Sequence, residues 1–187
     1  MDRRHRHARR LLRRRRDELR FVGRLPDPQG RRARFLKQAK VSNVVAITGN
    51  LHAFQAGVVR NQPDPAAGTP VLIDFVTVGI SSASFYSYIV PQTAGTPYQA
   101  LLPLLGVTEG ASFDAALRAF NPDLAFADHD AQGYASAMVT ADAFSVVYTK
   151  VKPLIADGSA PAHPVLKRAR LSVASGSHAI QVTPLAG

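Results

Sequence analysis

The sequence predicts a mixed α/β (α+β) chain, and three features carry that prediction. A β-branched run over residues 44–48 ends abruptly in Gly49, Asn50, Leu51 and His52. A helical stretch stands directly before it, and alternating stretches joined by short turns fill the last third of the chain. A helix feeding an apolar strand that ends in a polar loop is the way α/β proteins place a ligand site. Alternation broken by short turns marks antiparallel hairpins.

The elements follow in order. Residues 31–40, RRARFLKQAK, suit a short helix with Phe35, Leu36 and Ala39 on its buried side. Ser42 and Asn43 end it, and 44–48 then reads as a buried strand. The segment NQPDPAAGTP, 61–70, is a proline-rich connection to a second strand over 71–78, VLIDFVTV. Gly79, Ile80, Ser81 and Ser82 close that strand with small residues, which let backbone amides approach a ligand. Pro91, Pro97, Pro103 and Pro122 punctuate two amphipathic pieces near 98–105 and 112–120. Ser112 is the expected N-cap of the second, with Asp114 in its first turn. Residues 133–139 and 144–151 form antiparallel strands about a turn at 140–143. A last hairpin joins 165–173 to 179–183 around Ser175, Gly176 and Ser177.

Composition narrows the function classes. With 187 residues and 46% hydrophobic content, one ordinary domain with a real core is expected. The absence of cysteine removes disulfides, zinc-thiolate sites and thiol nucleophiles together. No apolar run is long enough to span a bilayer. The net charge of +10 is an uneven average. Residues 1–40 hold 16 Lys and Arg against 4 Asp and Glu, whereas residues 41–187 hold 7 against 9. The chain is therefore a nearly neutral body, 31–187, behind a cationic front end.

That front end, residues 1–30, carries Arg13 to Arg16 in succession and too few apolar residues to cover a core. Disorder or a frayed helix is expected there. As a nucleic-acid-binding arm, residues 3–34 would neutralise phosphates, though they lack interleaved aromatics for base stacking. As an export signal, the paired arginines lack the apolar stretch that should follow them. A non-native leader, from a mis-assigned start or a shifted frame, best explains an arm without design before a well-patterned body. With no usable signal peptide, the chain as written is expected to stay in the cytoplasm.

Two groups of residues could carry chemistry. Asn50 and His52 lie two apart at a strand end, so an extended turn aims both the same way. An imidazole and an amide oxygen suit a metal that keeps an open position. The competing account is a left-handed turn residue after Gly49 and a locally bonded histidine, which spacing alone favours. Asp128, His129 and Asp130, followed by Gly133 and Tyr134, form a second polar knot. It could complete a metal site or orient its ligands, or be a solvated turn before a strand. No glycine-rich phosphate loop, G-x-S-x-G elbow or H-E-x-x-H pattern occurs.

Several segments in register resemble one family. NVVAITGNLHAF resembles the late Gly-Asp-x-His segment of PhoD-like alkaline phosphatases/phosphodiesterases, within the calcineurin-like metallophosphoesterases. RRARFLKQAK is similar to the helix just before it, and FVTVGISS to the strand that ends in small residues and serines. NPDLAFADHDAQGY is similar to the Asn-Pro…Asp-x-Asp-x-x-Gly-Tyr segment, and VTADAFSVVYTKV to the hairpin after it. The resemblance runs from Arg31 to the C-terminus, the carboxyl-terminal part of that catalytic domain.

It implies a two-sheet β-sandwich flanked by helices, with iron or calcium at the strand ends and a phosphate ester as substrate. By position, His52 becomes a metal ligand or phosphate contact. Asn50 stands where the family has aspartate, so it would bind metal less strongly and cannot act as a base. Asp128, Asp130 and Tyr134 fall in supporting positions. The family's early motifs, which carry most metal ligands, are not in this sequence. The expectation is a fold truncated on its N-terminal side, an incomplete and inactive fragment on its own. Members of the family are often periplasmic or secreted.

Overall fold

The computed structural model describes residues 28–62, 64 and 66–186, so nearly all of the arginine-rich arm lies outside the described residues. Helix α1 (Pro28–Gln38) is the helix expected over 31–40. Its covered side differs from the expected one. Ala33 is buried and Leu36 half-buried, whereas Phe35 is 63% exposed and Ala39 is exposed. Positions 33 and 36 share a helical face, and the small Ala33 is the buried residue on the side that meets β3. Lys37 Nζ donates to Thr69 Oγ1 at 3.0 Å and ties the helix to the loop before that strand.

Strands β1 (Val45–Thr48), β2 (Phe54–Arg60), β3 (Pro70–Val76) and β4 (Leu124–Asp128) form one sheet in the order β1-β3-β2-β4. β1 runs parallel to β3, and β2 runs antiparallel to both β3 and β4. The carboxyl ends of β1, β3 and β4 therefore meet at one edge of the sheet, beside the start of β2. β1 was expected to be buried; instead, among the described residues, it has a neighbour on one side only, and Ile47 is 62% exposed. Strands β2 and β4 were not foreseen. Gly57 lies mid-way along β2, where a Cβ would come within 2.9 Å of the Asp123 carbonyl oxygen. β4 is short and alanine-rich, so each strand shows little β propensity in the sequence.

Strands β5 (Gln132–Val139), β6 (Ala143–Val151), β7 (Val165–Ala174) and β8 (Gln181–Leu185) form a second sheet, an antiparallel meander. It packs face to face on the first. Phe54, Ala56, Ile73 and Phe75 from the first sheet meet Val146, Tyr148, Leu171 and Val173 from the second. Phe54 stacks on Tyr148 with ring centroids 4.4 Å apart. The Tyr148 hydroxyl donates to the Gln55 carbonyl at 2.6 Å, so the one polar atom of that ring is satisfied across the sandwich. Burial, with Asp74 adding charge repulsion, pushes the Tyr148 phenol above its ordinary range.

Helices α2 (Phe85–Gln92), α3 (Pro97–Leu104) and α4 (Gly110–Phe120) fill the crossover from β3 to β4. α3 and α4 are the two amphipathic pieces the sequence indicated. α2, FYSYIVPQ, was not foreseen, because aromatic, β-branched and proline residues mask its helical character. Ser84 starts it by accepting the Ser87 amide at 3.1 Å. Ser112 is not the N-cap of α4 as expected but lies three residues past Glu109, the cap position. From there its Oγ accepts the Thr108 and Glu109 amides at 2.9 and 3.0 Å, which satisfies donors at the helix start all the same. α4 lies against β4.

Candidate active site at the strand ends

Three loops meet where β1, β3 and β4 end: 49–53, 77–84 and 129–131. Backbone and side-chain bonds weave them together. The Thr77 amide donates to Thr48 O at 2.9 Å, Phe85 to His52 O at 2.8 Å, and Tyr86 to His129 O at 2.9 Å. Gln132 Nε2 donates to Ser82 O at 2.9 Å, and the Gly133 amide reaches Gly79 O at 3.3 Å. Gly79 leaves room for the Ser82 hydroxyl, which a Cβ at that position would displace.

Asn50 and His52 share the first loop, and both have left-handed backbones, with φ of 69° and 60°. Asparagine adopts that region readily; histidine does so at some cost, so the surrounding bonds must hold it there. His52 Nδ1 lies 2.9 Å from the Ala83 carbonyl. A carbonyl only accepts, so Nδ1 carries the proton, and in the neutral ring the lone pair is on Nε2. This is the tautomer of an imidazole ready to bind a metal or take a proton. The Asn50 side chain is exposed and makes no hydrogen bond among the described residues.

The three residues of the second polar knot part company. Asp130 joins the His52 loop indirectly: its Oδ1 accepts from Ser84 Oγ at 2.8 Å, one residue past the Ala83 carbonyl that orients His52. It also lies against Gly110, the first residue of α4, where a Cβ would come within 2.6 Å of the Asp130 Cβ. The carboxylate thus stands by the starts of α2 and α4, where helix dipoles favour an anion. His129 is 2% exposed, with Nδ1 at 2.5 Å from Asp114 Oδ1 and Nε2 at 2.6 Å from Gln55 Nε2. With its Nδ1 proton given to Asp114, Nε2 accepts from the Gln55 amide. The ring is edged by Phe85 and Phe113 at 5.4 and 5.3 Å, and it locks α4 to β2 and β4. Asp128 turns the other way, toward the second sheet, with Lys150 Nζ at 3.0 Å and Lys167 Nζ at 2.9 Å. Successive strand residues face opposite sides, which is why this compact motif divides. Tyr134 is 48% exposed, on the face of β5 opposite the core-facing Ala135. The structure thus brings Asn50, His52 and Asp130 to one loop cluster and directs Asp128 and Tyr134 elsewhere.

The PhoD-like phosphatase family model matches residues 23–148, which span α1 through most of β6. This chain belongs to the PhoD-like phosphatase family. The solved structure of PhoD is similar to it, with a TM-score of 0.54 at 17% identity over 84% of this chain. At that identity the likeness shows the fold, a mixed α/β arrangement of helices and two sheets. The chain spans about a quarter of PhoD, 25% of that chain being covered. The comparison with curated proteins finds no match. No described helix is long and apolar enough to cross a membrane.

PhoD-like phosphatases are generally metal-dependent, which makes the donor set here the point to test. Among the described residues no three His, Asp, Glu or Cys side chains converge on one point. The cluster offers one imidazole nitrogen, one uncharged amide and one carboxylate, Asp130, already engaged by Ser84, whereas hard cations need several anionic oxygens. These residues do not by themselves hold a metal cluster. The sequence nominates His52 and Asn50 as candidates through the PhoD-like motif. It concealed Ser84, Gln55, Asp114 and the Ala83 carbonyl, because a backbone acceptor and partners brought together by folding leave no motif.

Proposed function

We propose that the three strand-end loops form one wall of a phosphate-ester hydrolase site, and that this chain alone binds metal weakly and hydrolyses little. The observation that carries this reading is the 2.9 Å contact between His52 Nδ1 and the Ala83 carbonyl. It fixes the tautomer that leaves Nε2 as a donor or proton acceptor. Asp130 acts one step behind, through Ser84. Asn50 supplies a polar oxygen without charge. Family membership supports a phosphate ester as the substrate class and a metal-dependent reaction; iron or calcium is our proposal for the metals that a complete donor set would take.

The test uses the full chain. Long-range 1H–15N NMR is expected to show His52 protonated at Nδ1, with zinc, as a diamagnetic probe, shifting its Nε2 signal. Release of p-nitrophenol from its phosphate mono- or diester is expected to stay at the metal-only background. Release above that background that is unchanged in His52→Ala, or zinc binding that leaves the His52 signals in place, contradicts the proposal.

A further inference from the structure

At the same end of the sandwich, on the side where β4 faces β7 and β8, lies a cavity of about 170 Å³ that the His52 cluster does not use. Phe54 and Tyr148 form its apolar wall, and Lys150, Lys167 and Asp128 supply its charges. Lys150 and Lys167 stand directly opposite each other on β6 and β7. Like charges in that position repel. Asp128 bridges them, but one carboxylate cannot balance two ammonium groups. The cavity therefore carries two positive charges against one negative.

A second feature concerns the carboxylate itself. Asp128 is 4% exposed, and its Oδ2 is a buried atom with no hydrogen bond. Lys167 Nζ stands 2.9 Å from it as an ion pair, outside hydrogen-bond geometry. A buried acceptor in that condition normally finds a donor. A ligand held by the two ammonium groups and able to donate a proton would complete that acceptor.

We propose that this cavity binds inorganic hydrogenphosphate, its unprotonated oxygens on Lys150 and Lys167 and its P–OH donating to Asp128 Oδ2. Inorganic phosphate keeps at least one O–H at neutral pH. Sulfate keeps none and would set two anions face to face, so the site discriminates between two ions of nearly equal size. The inference rests on the cavity alone and does not require the hydrolase reading.

The experiment is calorimetric titration of the full chain with inorganic phosphate and, separately, with sulfate, at neutral pH and fixed ionic strength. One phosphate is expected to bind saturably, at least about tenfold more tightly than sulfate. Lys167→Gln, at a side chain already largely exposed, is expected to weaken phosphate at least about tenfold. Asp128→Asn, whose amide can donate, is expected to let sulfate bind as well as phosphate. Should that buried variant fail to fold, Lys167→Gln and the phosphate–sulfate comparison decide the matter. No saturable phosphate binding overturns the proposal. So does equal binding of the two ions, as an arginine-rich arm would give, or phosphate binding unchanged in Lys167→Gln.

Discussion

Two buried residues show how single side chains set both stability and site geometry. His129 satisfies Asp114 and Gln55 at once. His129→Ala would leave a carboxylate and an amide facing a void. A loss of about 3 kcal/mol is expected, or roughly 6–12 °C in Tm for a chain of this size, measurable by thermal melting. Asp74 is a different case. Burial raises its carboxyl above the usual range, and the 2.8 Å bond from Thr48 Oγ1 offsets this only in part. The folded state therefore holds this proton more tightly than the unfolded chain does. Its contribution to stability falls as pH rises through the carboxylate range. Asp74→Asn should raise Tm at pH 7 and leave it unchanged below about pH 3, where the carboxyl is protonated in both states. Equal melting of variant and parent at both pH values would contradict this assignment.

Strands and helices differ in how plainly the sequence announces them, and the reasons are physical. The second sheet was legible because each hairpin alternates cleanly and is closed by turn residues at 140–143 and 175–177. β3 stood out through its β-branched run. β2 and β4 stayed hidden because their place is secured by pairing: Phe54 lies opposite Asp128 and Ala56 opposite Phe126 across the sheet. α2 owes its start to Ser84, whose hydroxyl joins both the helix and Asp130. The covered side of α1 went to Ala33 instead of Phe35, because sequence periodicity cannot say how far the helix rolls on its neighbour. Register within the second sheet depends on Gly133, whose φ is +154° and whose Cβ would overlap the Thr149 carbonyl. Gly133→Ala should cost about 3 kcal/mol or more, since backbone cannot yield there. Gly158→Ala, at φ +83° with open space around it, should cost only about 1 kcal/mol. Urea denaturation of the two variants checks the contrast; equal costs would mean that the β5–β6 pairing tolerates a side chain.

Taken whole, the molecule is a two-sheet sandwich of the PhoD-like family whose strand-end loops converge on Asn50, His52 and Asp130. The candidate site was legible in part. The Gly-Asn-x-His segment drew attention to the loop after β1 as a candidate, and the distribution of Asp128, His129 and Asp130 over three environments could be learned only from the fold. The donor set at the loops is short of negative charge, and Asn50 is where that shortage is most readily corrected. Its left-handed backbone suits aspartate as well as asparagine, so Asn50→Asp changes charge without a new backbone strain. The most direct measurement is anaerobic calorimetric titration of iron(II) into the full chain, Asn50→Asp and His52→Ala. The predicted result is weak binding by the parent, affinity at least about tenfold higher in Asn50→Asp, and loss of that binding in His52→Ala. Tight stoichiometric binding by the parent that survives His52→Ala would contradict the assignment of these loops as a metal-facing wall.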